Sequence, residues 1–170
     1  MRTKPLPPLK LLHDRYRYDP GTGDLIYRYD VHVGYTGRRA GSPAHPDRYV
    51  LVSVNNVAYT AHRIIWAMCH GRDPGDACLD HVNGNRSDNR IANLRLATVQ
   101  ENKRNSCLYK NNRCGIKGVS ALANGRYRVR IRIDGKLRSL GTYRNKIFAG
   151  LVYARAAKIY FGEFWCIRLS

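Results

Sequence analysis

The chain has 170 residues, 44% of them hydrophobic, with 30 Lys plus Arg against 12 Asp plus Glu and a formal net charge of +18. Such apolar content excludes wholesale disorder, and one or two small domains can be built from this length. The charge makes a polyanion the expected partner, nucleic acid first. No apolar run approaches a membrane span, and "MRTKPLPPLKLL" is interrupted by prolines and lacks a signal-peptide core, so no membrane partner and a cytoplasmic protein are expected.

The charge is uneven. Residues 1 to 105 hold 16 basic and 10 acidic residues, whereas residues 106 to 170 hold 14 basic and 2 acidic. Net charges of +6 and +12 argue for two units with different tasks. We expect a first domain over 1–105, a basic linker over 106–114 and a second domain over 115–170.

In chain order, "YDPGTGDLIYRY" predicts a turn from Asp19 to Gly23 and a strand from Leu25 to Tyr29. A Gly-rich basic loop follows from Gly34 to Gly41. "YVLVSV" and "VAYTAH" flank Asn55-Asn56, a pair that tolerates positive φ and suits a two-residue hairpin. "HRIIWAMCHG" spaces Ile64, Ile65, Met68 and Trp66 as a short helix closed by Gly71. The cysteines, Cys69, Cys78, Cys107, Cys114 and Cys166, contain no C-x-x-C pair. A structural zinc is therefore not expected unless Cys69, His70, Cys78, Cys107 and Cys114 converge in space.

The stretch "LDHVNGNRSDNRIANLRLATVQEN", Leu79 to Asn102, is dense in Asp, His and Asn. It is no calcium hand: counted from Asp80, the third place is Val82 and the fifth Gly84, neither of them an oxygen ligand of the required kind. Nor is it only a polar loop. Leu94 and Leu96 mark a strand, and Thr98 with Glu101 makes a T-x-x-E capping box that opens a helix. A strand ending at Asp80-His81, a long turn, a second strand and a helix with Asn102 in its first turn make a ββα arrangement. Asn83, Asn85 and Asn89 are expected to shape the turn.

Together "AHRIIWA", "LDHVNGNRSDNRIANLR" and "ENKRN", from His62 to about Asn105, resemble the HNH nucleases, especially phage and intron-encoded homing endonucleases in which the last His is an Asn. The resemblance implies a divalent-metal-dependent DNA endonuclease. Imidazole titrates near neutral pH, which suits His81 as general base. A hard cation, Mg²⁺ or Mn²⁺, takes oxygen ligands and keeps several waters, so Asp80 and Asn102 are the expected metal ligands. Asn93 is expected to steady the turn and orient His81. His62 is open between scaffold and phosphate contact, and Arg63 and Arg104 are further candidate DNA contacts. His13, His32, His45 and His70 have no evident partners.

The C-terminal part changes rhythm. "GRYRVRIRID" alternates Arg126, Arg128, Arg130 and Arg132 with Tyr127, Val129, Ile131 and Ile133. A period of two predicts a strand with one apolar and one cationic face. Asp134-Gly135 turns it into "KLRSLGTY", which adds Lys136 and Arg138. Asn145 is the predicted cap of a helix ending at Gly162, with a core stripe of Ile147, Phe148, Leu151, Val152, Ile159 and Tyr160.

Residues 115 to 165 look like the Apetala-two or ethylene-response-factor DNA-binding domain, on Gly118-Val119, the arginine strand, "LGTY" from Leu140, an Ala-rich helix and Gly162. The resemblance implies a three-stranded antiparallel sheet packed on one helix and laid in the DNA major groove. Lys117, Arg126, Arg130, Arg132 and Leu137 fall near that family's contact positions. Leu137 stands where the family has a basic residue, and Ile147-Phe148-Ala149 where it usually has Glu-Ala-Ala.

The expectation is an α+β protein: a ββα-metal nuclease module with N-terminal β-hairpins, then the sheet-and-helix domain. It would act as a monomer or homodimer on double-stranded DNA, with no small-molecule cofactor. As a phage or mobile-element homing enzyme it would nick once per monomer. A non-catalytic DNA-binding protein using both modules as clamps is the rival. An RNA-binding protein fits the charge but not the Asp-His-Asn set.

Overall fold

A computed structural model of the chain describes residues 4–29, 34–105 and 112–165. The chain divides into two compact units, residues 1–102 and 103–170. Most of the expected linker, together with His32, Cys107 and Cys166, lies outside the described residues.

The first unit begins with a helix, α1 (Leu9–Arg15), set directly behind Pro8. Proline is tolerated at a helix start, where its missing N–H would be unpaired anyway. Strands β1 (Tyr16–Asp19) and β2 (Asp24–Tyr27) form an antiparallel hairpin. Beyond it, Ala40 N donates to Leu25 O, and Tyr27 N to Arg38 O, so part of the Gly-rich loop lies alongside β2. Strands β3 (Leu51–Val54) and β4 (Val57–Thr60) form the second hairpin. Its two-residue turn holds Asn55 and Asn56 at φ 50° and 62°, the doubly left-handed geometry that asparagine tolerates and that matches strand twist. Helix α2 (Ala61–His70) follows and ends at Gly71 in the left-handed conformation.

Leu12, Tyr16, Leu25, Val52, Ile64 and Ile65 anchor the buried cluster these elements share. Burying each large side chain stabilises the unit by about 1.5–3 kcal/mol before the entropy of ordering it. Strands β5 (Cys78–His81) and β6 (Leu94–Ala97) then pair antiparallel and lead to helix α3 (Val99–Arg104). The capping box closes in both directions: Glu101 N donates to Thr98 Oγ1, and Thr98 N to Glu101 Oε2.

The second unit is a three-stranded antiparallel sheet, β7 (Val119–Ala121), β8 (Tyr127–Ile133) and β9 (Lys136–Tyr143), with helix α4 (Lys146–Phe161) packed on it. Asp134 and Gly135 turn β8 into β9 at φ 48° and 76°. Asn145 Oδ1 caps α4 by accepting from Phe148 N at 3.0 Å. Val129, Ile131 and Ile133 supply the sheet's side of the core.

The helix meets that core with a different face from the predicted one. Ala149, Tyr153, Ala157 and Phe161 are buried at i, i+4 spacing, and Val152 packs partly against them. Ile147, Phe148, Leu151, Ile159 and Tyr160 are exposed. Apolar residues run almost all the way round α4, so its hydrophobic pattern has no definite direction. Small alanines bring the helix close to the sheet. Gly118, at φ +74°, belongs to the same close fit, since a Cβ there would lie 2.1 Å from the Tyr153 ring. Among the described residues, no helix is long and apolar enough to cross a membrane.

Candidate active site and nucleic-acid interface

The β5–β6 hairpin presents its chemistry at the C-terminal end of β5. In the antiparallel register Asp80 lies opposite Arg95, and His81 opposite Leu94. Residues paired across strands share a face, so the Arg95 guanidinium meets the Asp80 carboxylate directly, with Nε at 3.0 Å and Nη2 at 2.8 Å from Oδ2. Asp80 is almost completely buried, and the guanidinium offsets the cost of burying its charge.

The connection from Val82 to Asn93 is built from asparagine side chains standing in for backbone partners. Asn83 Oδ1 accepts from Asn85 N, and Asn85 Oδ1 from both Ser87 N and Ser87 Oγ. Asn93 closes the loop: its Oδ1 accepts from Asn83 N at 2.9 Å, and its Nδ2 donates to Asn83 Oδ1 and Asp88 O. Asn93 therefore steadies the turn, and of the two tasks expected of it a direct hold on the His81 ring is not among its side-chain hydrogen bonds.

That second task falls to Asn89, which the sequence assigns only to loop shape. Its Oδ1 lies 3.0 Å from His81 Nε2 in a buried contact, and Asn89 is 2% exposed. With the amide oxygen accepting, Nε2 carries the ring proton and the neutral imidazole keeps its lone pair on Nδ1. Burial lowers the His81 pKa, opposed by the Asn89 hydrogen bond and the nearby Asp80 charge. The imidazole is thus held neutral at physiological pH.

Two more rings enclose it. His62 packs edge-on against His81 with centroids 5.2 Å apart, and Tyr49 lies against both. His62 is buried and its pKa is pushed down to about 3, chiefly by desolvation and next by His81. Of the two roles the sequence leaves open for it, this environment fits scaffold. Arg86 stacks over Tyr49 at 5.1 Å and ties the loop to the β3 approach through Pro46 O and Asp47 O.

Asn102 sits in α3, half-buried, and its backbone N–H donates to Thr98 O at 3.0 Å. Among the described residues, no three His, Cys, Asp or Glu side chains gather as a metal-binding group. The predicted ligand pair is smaller than that, one carboxylate and one amide oxygen. Both are hard donors, the type that suits a cation retaining several of its own waters.

Arg63 is not an open DNA contact. Its guanidinium pairs with Asp73 at 2.7 Å and reaches Gly75 O, while the second Asp73 oxygen accepts from Leu6 N. A side chain tying down both the loop after α2 and the N-terminal segment is committed to the fold. His70 and His45 also find partners: His70 stacks on Trp66 and its Nδ1 lies 3.0 Å from Trp66 O, and His45 Nδ1 accepts from Asp47 N.

In the second unit, the arginine strand has the expected two faces. Val129, Ile131 and Ile133 are buried, Arg128 and Arg130 half-buried, and Arg126 and Arg132 exposed. Register sorts the other candidates. Arg128 pairs with Ser120 and Thr142, Arg130 with Ser139 and Arg132 with Leu137, so these share the cationic face. A β-bulge between Val129 and Arg130 shifts β9, which puts Arg138 opposite Ile131 and Lys136 opposite Ile133. Those two, although exposed, belong to the helix-side face and not to the ladder. Lys117 Nζ donates to Arg104 O at 2.7 Å, and the Arg104 guanidinium stacks over Phe161 at 4.9 Å. Both cations have partners inside the unit.

Sequence reasoning missed Asn89, Arg95, Tyr49 and Arg86. Arg95 is implied once the β5–β6 register is known. Asn89 carries no local mark that separates it from the other asparagines of its loop.

A family model described as HNH endonuclease matches residues 59–104, the span containing His62, Asp80, His81, Asn89, Asn93, Arg95 and Asn102. An uncharacterized HNH endonuclease of Acanthamoeba polyphaga mimivirus is 31% identical over 141 residues, covering 82% of this chain and 67% of that protein. Protein 3.8 of Escherichia phage T7 is 37% identical over 59 residues, covering 35% of this chain and 49% of that protein. The chain thus spans about two thirds of the first relative and half of the second. No solved structure matches.

Proposed function

The chain belongs to the HNH endonuclease family, and from that premise we propose that it is a divalent-metal-dependent, sequence-directed DNA endonuclease of the homing type. It hydrolyses phosphodiester bonds at the β5–β6 hairpin and holds double-stranded DNA with the cationic face of its second unit. The observation that carries this reading is the buried His81 imidazole, held at Nε2 by Asn89 Oδ1 beside the buried carboxylate of Asp80.

Hydrolysis of a phosphodiester needs a base for the attacking water, neutralised phosphate charge and help for the leaving oxygen. His81 is the base. With Nε2–H donated to Asn89, the proton is taken at Nδ1, and the imidazolium that forms keeps its hydrogen bond to Asn89 Oδ1. Asp80 and Asn102 would hold Mg²⁺ or Mn²⁺, which would supply neutralisation of phosphate charge and help for the leaving oxygen. Arg95 orients the Asp80 carboxylate through two hydrogen bonds to Oδ2. Asn93 keeps the turn closed, so that the strand carrying His81 and the loop carrying Asn89 stay in register. One such centre per chain cuts one strand, and a double-strand break needs a dimer or a second binding event.

Incubation of the full chain with supercoiled plasmid and Mg²⁺ or Mn²⁺, with and without chelator, tests the reading. Nicked circles should appear only with metal. His81→Ala should abolish nicking while DNA affinity stays within about twofold of wild type, because the ring is an acid–base group and not a DNA contact. Metal-independent nicking, or an active His81→Ala protein, would refute the assignment.

A further inference from the structure

The cationic face of the sheet contains one residue that charge does not explain. Leu137 is 50% exposed and lies directly opposite Arg132 on the ladder face. Ser120, Ser139 and Thr142 complete that face. Leu137 also borders an open groove of about 600 Å³, shared with Arg113, Ser120 and Arg130. The two acidic side chains of residues 112–165 are Asp134, in the β8–β9 turn, and Glu163, beyond α4. A large aliphatic side chain is thus held in the open opposite Arg132, on the rim of a groove that Arg113 and Arg130 also line, with Asp134 in the adjoining turn.

A ligand covering this face must neutralise the arginines and offer Leu137 something apolar. The DNA major groove does both. Phosphates flank it, and the apolar group on its floor is the C5 methyl of thymine, which aliphatic side chains contact. The backbone of β9 fixes where Leu137 points. Arg132, whose Nη1 is bonded to Gly135 O within the hairpin turn, is held beside it.

We propose that Leu137 is a specificity-determining residue that reads the C5 methyl of a thymine in the target site. This rests on the reading of the sheet as a DNA-contacting surface. Arg128, Arg130 and Arg132 supply charge and candidate guanine contacts on the same face. Leu137 adds a preference that hydrogen bonding cannot supply, since thymine and uracil present the same acceptor.

The test uses the full chain with chelator present, so that DNA is bound but not cut. A site is selected from a random duplex pool, and each thymine is replaced in turn by deoxyuridine. Burial of one methyl group predicts about fourfold weaker binding at one position for the wild type. Leu137→Ala should bind the thymine and deoxyuridine duplexes equally at that position, and Leu137→Met should restore part of the preference. Wild-type binding indifferent to the methyl at every position overturns the proposal while leaving the sheet as a DNA surface. A methyl preference that persists unchanged in Leu137→Ala also overturns it. If Arg128→Ala plus Arg132→Ala leaves affinity unchanged on both duplexes, the DNA-facing reading of the sheet fails as well, and that outcome is distinct from the other two.

Discussion

Replacing His62 should make the first unit more resistant to acid. His62 is buried with its pKa pushed down to about 3 from 6.5, chiefly by desolvation, with His81 and Arg63 adding in the same direction. In the unfolded chain the imidazole takes up a proton near pH 6.5, and in the folded chain it does not until about pH 3. Between those values the unfolded state binds more protons, so stability is complete above pH 6.5 and falls as the pH drops. The slope is about 1.4 kcal/mol per pH unit, or about 3 kcal/mol lost by pH 4.5. That is a large share of the 5–15 kcal/mol typical of a domain. Urea unfolding followed by Trp66 fluorescence, in a Trp165→Phe background, reads this unit through a reporter on the same helix as His62. His62→Phe and His62→Gln should lie below wild type at pH 7.5, because packing is poorer, but lose about 3 kcal/mol less between pH 7.5 and 4.5. His81 is present in all three proteins, so the difference reports His62 together with its coupling to His81. Parallel pH profiles would show that His62 titrates normally when folded, and the argument for a dry, neutral histidine pair would be wrong.

Three further outcomes follow from particular side chains. Asn89→Ala removes the partner of His81 Nε2, and the nicking rate should fall by roughly 10- to 100-fold with DNA affinity unchanged. Single-turnover kinetics separate the two, and a loss confined to affinity would assign Asn89 to binding. Arg95→Met leaves the buried Asp80 carboxylate without its guanidinium, which should cost about 3 kcal/mol in urea unfolding at pH 7.5. A loss below about 1 kcal/mol would mean that Asp80 gains little from the pair. Arg128→Ala plus Arg132→Ala should lower the slope of log affinity against log salt by about 1.8, at about 0.9 for each phosphate that is no longer neutralised. An unchanged slope in a filter-binding titration would show that neither arginine meets a phosphate.

The parts of this fold legible in the sequence are those fixed by neighbours in the chain. Asn55-Asn56 and Asp134-Gly135 need only their own φ preferences to become turns. Thr98 with Glu101, and Asn145 with Phe148, cap helices within three residues. The arginine strand declares its two faces because the pleat has a strict period of two. Illegible were the features set by distant segments meeting in space. The inward face of α4 was hidden by apolar residues all round the helix, and the structural role of Arg63 depends on Asp73 and, through it, on Leu6.

The β5–β6 hairpin shows the same division at its most consequential point. Its residue types are local and readable, but the choice of Asn89 over Asn93 as the partner of His81 is made elsewhere. Gly23, in the β1–β2 turn, has φ +79°, and a Cβ there would lie 2.5 Å from Arg90 N and 2.8 Å from Asn89 C. Tyr18 Oη accepts from Ile91 N at 2.8 Å, a bond spanning 73 residues. The N-terminal hairpin, which the sequence leaves without a task, therefore rests against the backbone of the loop on both sides of Arg90. A buried side chain can hold an imidazole in one orientation only if its own backbone cannot shift. The absence of a side chain at Gly23 lets the brace come that close, which makes the hairpin a structural support of the proposed base.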